Sequence, residues 1–452
     1  GRLLRAQAAE RAEALLAKAA RNPDAPASYL SWRALALQQQ GKTDEAIQAN
    51  RDALRRNPAL LMAWQHLVAI YSERQQTDEL FALLTEAASQ TSQDPNYLVT
   101  IADLHLAAAH LHPTRLDSVK PRCRELLDRA AELPLDDPVL AHRLAGAYRQ
   151  IGEMQRAEDI YLKILERNPS APLVRENLVD IYLTTSNREA AARQLRSLIE
   201  ADPTNERATY LLGALAFQEN RLEEAEDYLE KALLLQPLFE PAYYDLAGVK
   251  LSRDKPEEAL ALLDRARGRF PRAFLLEFYS GLAHARAKRY AEAVRHYTEA
   301  EALAATGERS RLNHVFYFQY GVACERKGDF AEAEQHMRKA IELAPTFAEA
   351  LNYLGYMWAD RGEKLDEARA LIERALAIEP DNGAYLDSMA WVLFKQGKAS
   401  EALEWMLKAI QHVEQEEEDA TLYDHLGDVY QALGEAAKAR EAWERSLAIE
   451  SS

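Results

Sequence analysis

Large apolar, small and aromatic side chains return at fixed offsets along this chain with polar residues between them, and the spacing predicts short paired helices. From Leu144 the order is Leu144-Ala145, Tyr148, Gly152, Ala157, Tyr161, Ile164, Pro169; from Leu212 it is Leu212-Gly213, Ala216, Asn220, Ala225, Leu229, Ala232, Pro237. A third copy, Leu354-Gly355, Trp358, Gly362, Ala368, Pro380, carries one inserted residue. Prolines at 169, 203, 237 and 271 stand 34 residues apart, and Pro345 to Pro380 is 35. A period of this length is the mark of a repeat architecture. Pro after Asn57, Asn168 or Asp202 ends a second helix, because the residue before proline is pushed out of the α region. Gly41, Gly152, Gly328, Gly362, Gly397 and Gly434, or a polar residue in their place, break the chain between the two helices of a repeat.

Counted this way, twelve repeats begin near residues 27, 61, 95, 138, 172, 206, 240, 274, 314, 348, 383 and 420. Irregular loops are expected near 109–121, 304–313 and 413–420, and residues 1–26 read as the second helix of a truncated repeat. Each repeat buries its apolar face only against its neighbours, so residues 27–452 are expected to form one continuous solenoid.

Composition narrows the function. With 452 residues the chain is too long for one compact core, and its 17 Gly and 17 Pro amid abundant Ala, Leu, Glu and Arg favour helix throughout. The formal charge of −17 repels phosphate backbones, which argues against nucleic acid. Cys123 and Cys324 lie far apart and form no Cys-x-x-Cys pair, so they read as two buried small residues, not as a disulfide or a zinc site. No apolar run reaches the length of a membrane span. Gly1 to Arg11 lack a signal-peptide core, although the opening in mid-helix leaves room for a targeting segment upstream of Gly1.

The recurring residues resemble the tetratricopeptide repeat over nearly the whole length. That resemblance implies an all-α fold, a right-handed superhelical solenoid of helix-turn-helix repeats, in which the first helices line a concave face that binds extended peptides or partner helices. Carried onto this sequence, the inner stripe holds the rings Tyr210, Phe217, Tyr244, Phe278, Phe318, Tyr356, Trp391 and Phe394. Arg149, Arg207, Arg286 and Arg326 lie on it or beside it. Aromatic residues and arginine anchor interfaces because they bury large area at little entropic cost. The competing reading of any one ring is that it packs as core against the next repeat. On the binding reading, Tyr244→Ala with Phe278→Ala weakens partner capture and spares helicity. Ser31, Leu35, Gln65 and Ala69 occupy the inner positions of the first two repeats, so the Lys/Asn carboxylate clamp known in this family is not expected.

Catalysis has no visible home: no Gly-rich phosphate loop, His-Glu-x-x-His helix or nucleophile elbow occurs, and neither cofactor nor metal is expected. His105, His110 and His112 cluster, but without an acidic or cysteine partner at ligand spacing they read as a polar loop. The acidic run at 414–419 reads as a solvated loop. A narrower resemblance covers two repeats: Leu351-Asn352-Tyr353-Leu354-Gly355-Tyr356, Leu365-Asp366-Glu367-Ala368, Glu379-Pro380, Leu386-Asp387-Ser388 and Trp391-Val392-Leu393 are similar to a segment of bacterial envelope tetratricopeptide proteins. Among these are outer-membrane lipoproteins that present substrates to a periplasmic processing protease, which implies a non-enzymatic periplasmic adaptor, though no acylated cysteine stands near Gly1. Two alternatives remain open: a cytoplasmic scaffold assembling through its convex face or its ends, for example through Trp443 and Leu447, and the regulatory region of a larger enzyme.

Overall fold

In the computed structural model, residues 2–412 and 419–451 are described, with side chains from residue 8 onward. They form 25 α-helices with two short 3-10 turns and no strand among them. The acidic run at 414–418 lies outside the described residues; Asp419 caps the following helix by accepting from the Thr421 amide.

Local signals set the helix ends. Asp94, Asp137 and Asn382 accept hydrogen bonds from the amides two residues on, and Pro95 and Pro138 occupy the first helical position that their fixed φ suits. At the far ends Asn57, Asn168 and Asp202 turn extended, with φ of −141°, −137° and −140°, ahead of the prolines that stop each second helix. The first helices accordingly start at residues 28, 61, 95, 138, 172, 206, 240, 274, 314, 348, 383 and 420. The stretch at 109–121 is mostly helical, unlike the expected loop: Pro95–Leu111 and Leu116–Ala131 are joined by the 3-10 turn Pro113–Arg115. Buried Ala108, Ala109, Val119 and Cys123 keep the apolar face running, which outweighs Pro121 inside the second helix.

The turn inside every repeat but the third, which is joined by the 3-10 turn, carries a left-handed residue. Gly41, Gly152, Gly328, Gly362, Gly397 and Gly434 supply it with φ between 68° and 95°, whereas Gln75, Ser186, Asn220, Asp254 and Lys288 adopt it with φ of 55° to 59°. A side chain there costs about 1 kcal/mol. Lys288→Gly and Gln75→Gly are therefore each expected to add roughly 1 kcal/mol of stability. The midpoint of urea denaturation checks this; an unchanged or lower midpoint in both variants contradicts it.

The helices group into two compact units, residues 1–212 and 213–452. Within each, the two helices of a repeat approach closely across small residues, the second helix contributing fully buried alanines such as Ala46 and Ala157 in the first unit and Ala225, Ala293 and Ala368 in the second. Contact is tight at Gly281 and Gly355, where an added Cβ would stand 2.7 Å from Tyr297 and from Ile372. Both cysteines are buried and far from reaction: burial pushes each thiol up to about 12.

Candidate functional site

Four successive first helices, the last of them beginning at His314, present one hollow lined by residues of the second unit. Phe217, on the helix Glu206–Gln218, reaches over Gly248 of Glu240–Ser252; an added Cβ at Gly248 would stand 3.1 Å from the Phe217 ring and 3.5 Å from Tyr279. Glycine here lets both rings lie across the helix backbone. Leu251, Tyr279, Leu282 and Val322 complete the apolar floor of a cavity of about 550 Å³, and Ser252 and Gln319 add polar groups at its edge. Arg286 and Arg326 are the charged side chains among its described lining residues. Arg286 Nε lies 2.9 Å from Asp254 and Arg326 Nε 3.3 Å from Glu325, and both guanidinium side chains are 58% exposed. The Arg286–Asp254 pair is exposed on both sides and worth about 0–1 kcal/mol, so a guest carboxylate can exchange into it, while Glu325 is 23% exposed and accepts from the Tyr353 hydroxyl at 2.8 Å.

Three of the expected groove residues, Phe217, Arg286 and Arg326, thus meet in one place. The others do not. Tyr244 is buried, its hydroxyl donating to Glu240 at 2.5 Å and its ring stacked on Tyr279, and burial raises its hydroxyl pKa. Phe278 is half-buried in a ring cluster with Phe274, Tyr297 and Phe316. Truncating Tyr244 and Phe278 therefore strips packing, and the pair is no clean test of binding. Phe318 packs edge-on against Phe347 and Tyr353. Tyr210 is half-buried in the first unit. Arg149 and Arg207 converge on Asp180, at 3.3 Å and 2.8 Å, and brace three first helices of the first unit against one another.

Tyr356, Trp391 and Phe394 gather around a residue the sequence did not single out, His425. Its ring stacks on Trp391 at 3.9 Å while Nδ1 meets Asp387 at 3.0 Å. Tyr356 lies 6.1 Å from the His425 ring and Phe394 5.1 Å from Trp391. Trp391 is itself buried and bonds Asp360, so this group is largely packing.

A polar cluster between the helices Phe274–Arg286 and Tyr290–Ala305 also escaped sequence reasoning. Buried Glu277 accepts from His296 Nδ1 at 2.6 Å, and Glu299 lies close enough to make a three-donor group. Three guanidinium groups fill the places a cation would take: Arg267 reaches Glu277 and Ser280, Arg272 pairs with Glu299, and Arg295 faces His296 Nε2 at 3.0 Å. The histidines of the third repeat are held by their own helix and not by a polar loop. His105 and His110 engage the carbonyls of Ile101 and Leu106 through Nδ1, and His112 caps the helix with its ring edge-on to Phe81. Trp443 packs over Gly427, which leaves Leu447 of the proposed end contact exposed.

Profiles of the tetratricopeptide repeat match residues 140–173, 177–239, 216–274, 315–347 and 360–419. Among characterised relatives, the TPR repeat-containing protein PA4667 of Pseudomonas aeruginosa is 32% identical over 42% of this chain and 31% of its own length. Cellulose synthase operon protein C of Pseudomonas fluorescens is 26% identical over 69% of this chain and 22% of its own. The type IV pilus assembly protein PilF of P. aeruginosa is 28% identical over 29% and 52% respectively. The matches thus span a fifth to a half of these relatives. No helix among the described residues is long and apolar enough to cross a membrane.

Proposed function

Because the chain belongs to the tetratricopeptide repeat superfamily, we propose that it is a non-enzymatic adaptor that holds a partner protein by an extended segment in the hollow of the second unit. The carrying observation is the coincidence, on four successive first helices, of an apolar floor from Phe217, Tyr279, Leu282 and Val322 with two largely exposed arginines at the edge. An apolar cavity with a few converging polar groups is the ordinary form of a binding site. Rings laid across the helices supply contact area at little entropic cost.

A periplasmic placement, with a processing protease or its substrates as partner, is the narrower reading. It draws on the resemblance of residues 351–393 to envelope adaptors and on relatives from Pseudomonas. Fractionation of the native host tests it, since recovery of the chain in the cytoplasmic fraction alone removes it.

Filling the hollow tests the binding reading without hollowing the core. Ser252 is exposed and lines the cavity, so Ser252→Trp adds a ring where a guest would sit and leaves the buried side chains in place. Partner recovery from the native host is expected to fall at least about tenfold with circular dichroism unchanged. Equal recovery by the folded Ser252→Trp protein would show that the partner binds elsewhere.

A further inference from the structure

We propose that the segment held in this hollow is acidic: an extended peptide that seats one large apolar side chain among Phe217, Tyr279 and Leu282 and sets carboxylates against Arg286 and Arg326. The inference rests on the hollow being the binding surface and adds the chemistry of its guest.

The argument is one of charge and size. Arg286 and Arg326 are the charged groups of the lining, on a chain whose formal charge is −17. Positive charge beside an apolar wall focuses the local potential, so an acidic segment repelled by most of the surface is drawn to this place. Asp254 and Glu325, the present partners of the two arginines, sit at the edge, and Asp254 is 75% exposed. Asp254 is released to water at little cost when a guest carboxylate replaces it, whereas Glu325 stays held by the Tyr353 hydroxyl at 2.8 Å and a guest carboxylate adds to the exposed Arg326. Arg149 and Arg207 differ in kind, since each is tied to the same Asp180 between helices. A planar guanidinium fork grips a carboxylate in two parallel hydrogen bonds, which gives direction as well as attraction. About 550 Å³ is room for one aromatic or leucine side chain with the backbone on either side of it, and the Ser252 hydroxyl and Gln319 amide stand where that backbone would run. A lone carboxylate would leave the ring-lined floor wet, and a neutral apolar peptide would leave the two exposed arginines without a new partner, so the two halves of the lining together define the guest.

The test selects random dodecapeptides displayed on phage against the full chain, with the Ser252→Trp protein as counter-target. Enriched sequences are expected to carry Phe, Leu, Trp or Tyr with Asp or Glu within three positions. Blocked synthetic copies should bind at least about tenfold more weakly to the Arg286→Glu, Arg326→Glu double variant, and that variant should select Lys and Arg in place of Asp and Glu. Raising salt should weaken the wild-type interaction in parallel. Enrichment of neutral or basic peptides whose affinity ignores the charge reversal would overturn the acidic specificity and leave the hollow as the binding surface. Failure of any peptide to distinguish the wild type from Ser252→Trp removes the hollow and the specificity together. Tight binding of a twelve-nucleotide oligothymidine through the same two arginines would likewise overturn the acidic-peptide assignment.

Discussion

Replacing Tyr297 by alanine is expected to cost about 3–5 kcal/mol, the range for removing a buried aromatic side chain. Its ring is fully buried on the helix Tyr290–Ala305, 6.1 Å from both Phe278 and Phe316 and 5.6 Å from Tyr320. It also fills the space left by Gly281. Truncation opens a void bounded by rings that are themselves wedged and cannot close it. Tyr297→Phe is the matched control, because the Tyr297 hydroxyl is buried without a hydrogen-bond partner. Removing an unpaired polar atom relieves a desolvation penalty and keeps the packing, so stability should hold or rise. Urea denaturation of the two variants, with hydrogen exchange over Phe274–Arg286 and Tyr290–Ala305, separates these outcomes. Similar losses in both would mean that the hydroxyl, and not the ring, holds this region.

Glu226→Ala is the second large loss to expect, on the order of 3 kcal/mol. Glu226 is buried on the helix Leu222–Leu235 and collects Lys250 Nζ at 2.7 Å, Arg253 at 2.5 Å and Lys255 at 3.1 Å. Lys250 is buried as well, so deleting the carboxylate leaves an interior ammonium with only the half-exposed Glu230 and Glu258. Burial by itself would raise the Glu226 carboxyl, but the hydrogen bonds and charges of Lys250 and Lys255 outweigh it and hold the group at about 2. The pH dependence follows from that sign. A carboxylate depressed in the folded state contributes fully above its unfolded value of 4.5 and loses the contribution as pH falls toward about 2. Denaturation midpoints measured down through this window should drop steeply for the wild type and more gently for Glu226→Gln. Parallel curves would show that Glu226 is not the group being titrated.

The helix pairs were legible in the sequence because their punctuation is chemical and local. A residue before proline is pushed away from the helical region, and a turn needing positive φ takes Gly152 or Gly328 where it can. The stretch at 109–121 was misread for the same reason in reverse. Pro113 and Pro121 look like breakers, yet Pro113 only opens a 3-10 turn, and Pro121 is carried inside a helix by the burial of Val119 and Cys123. The hollow was half legible. Spacing along the first helices found Phe217, Arg286 and Arg326, but with two adjacent rings it chose Phe278, which turns toward Tyr297 and Phe316, over Tyr279, which lines the cavity. A helical stripe fixes a face to within a residue, and the tilt of the neighbouring helix decides which ring is covered. Glu277, His296 and His425 left no signal, because their meaning lies in contacts 19 and 38 residues away.

The shielding of Cys123 and Cys324 has a practical consequence. With both sulfurs protonated at ordinary pH and out of reach, a maleimide dye finds no ready nucleophile on the native molecule. A cysteine placed at position 252 would then take the fluorophore selectively, and its emission would report the arrival and departure of a guest in real time.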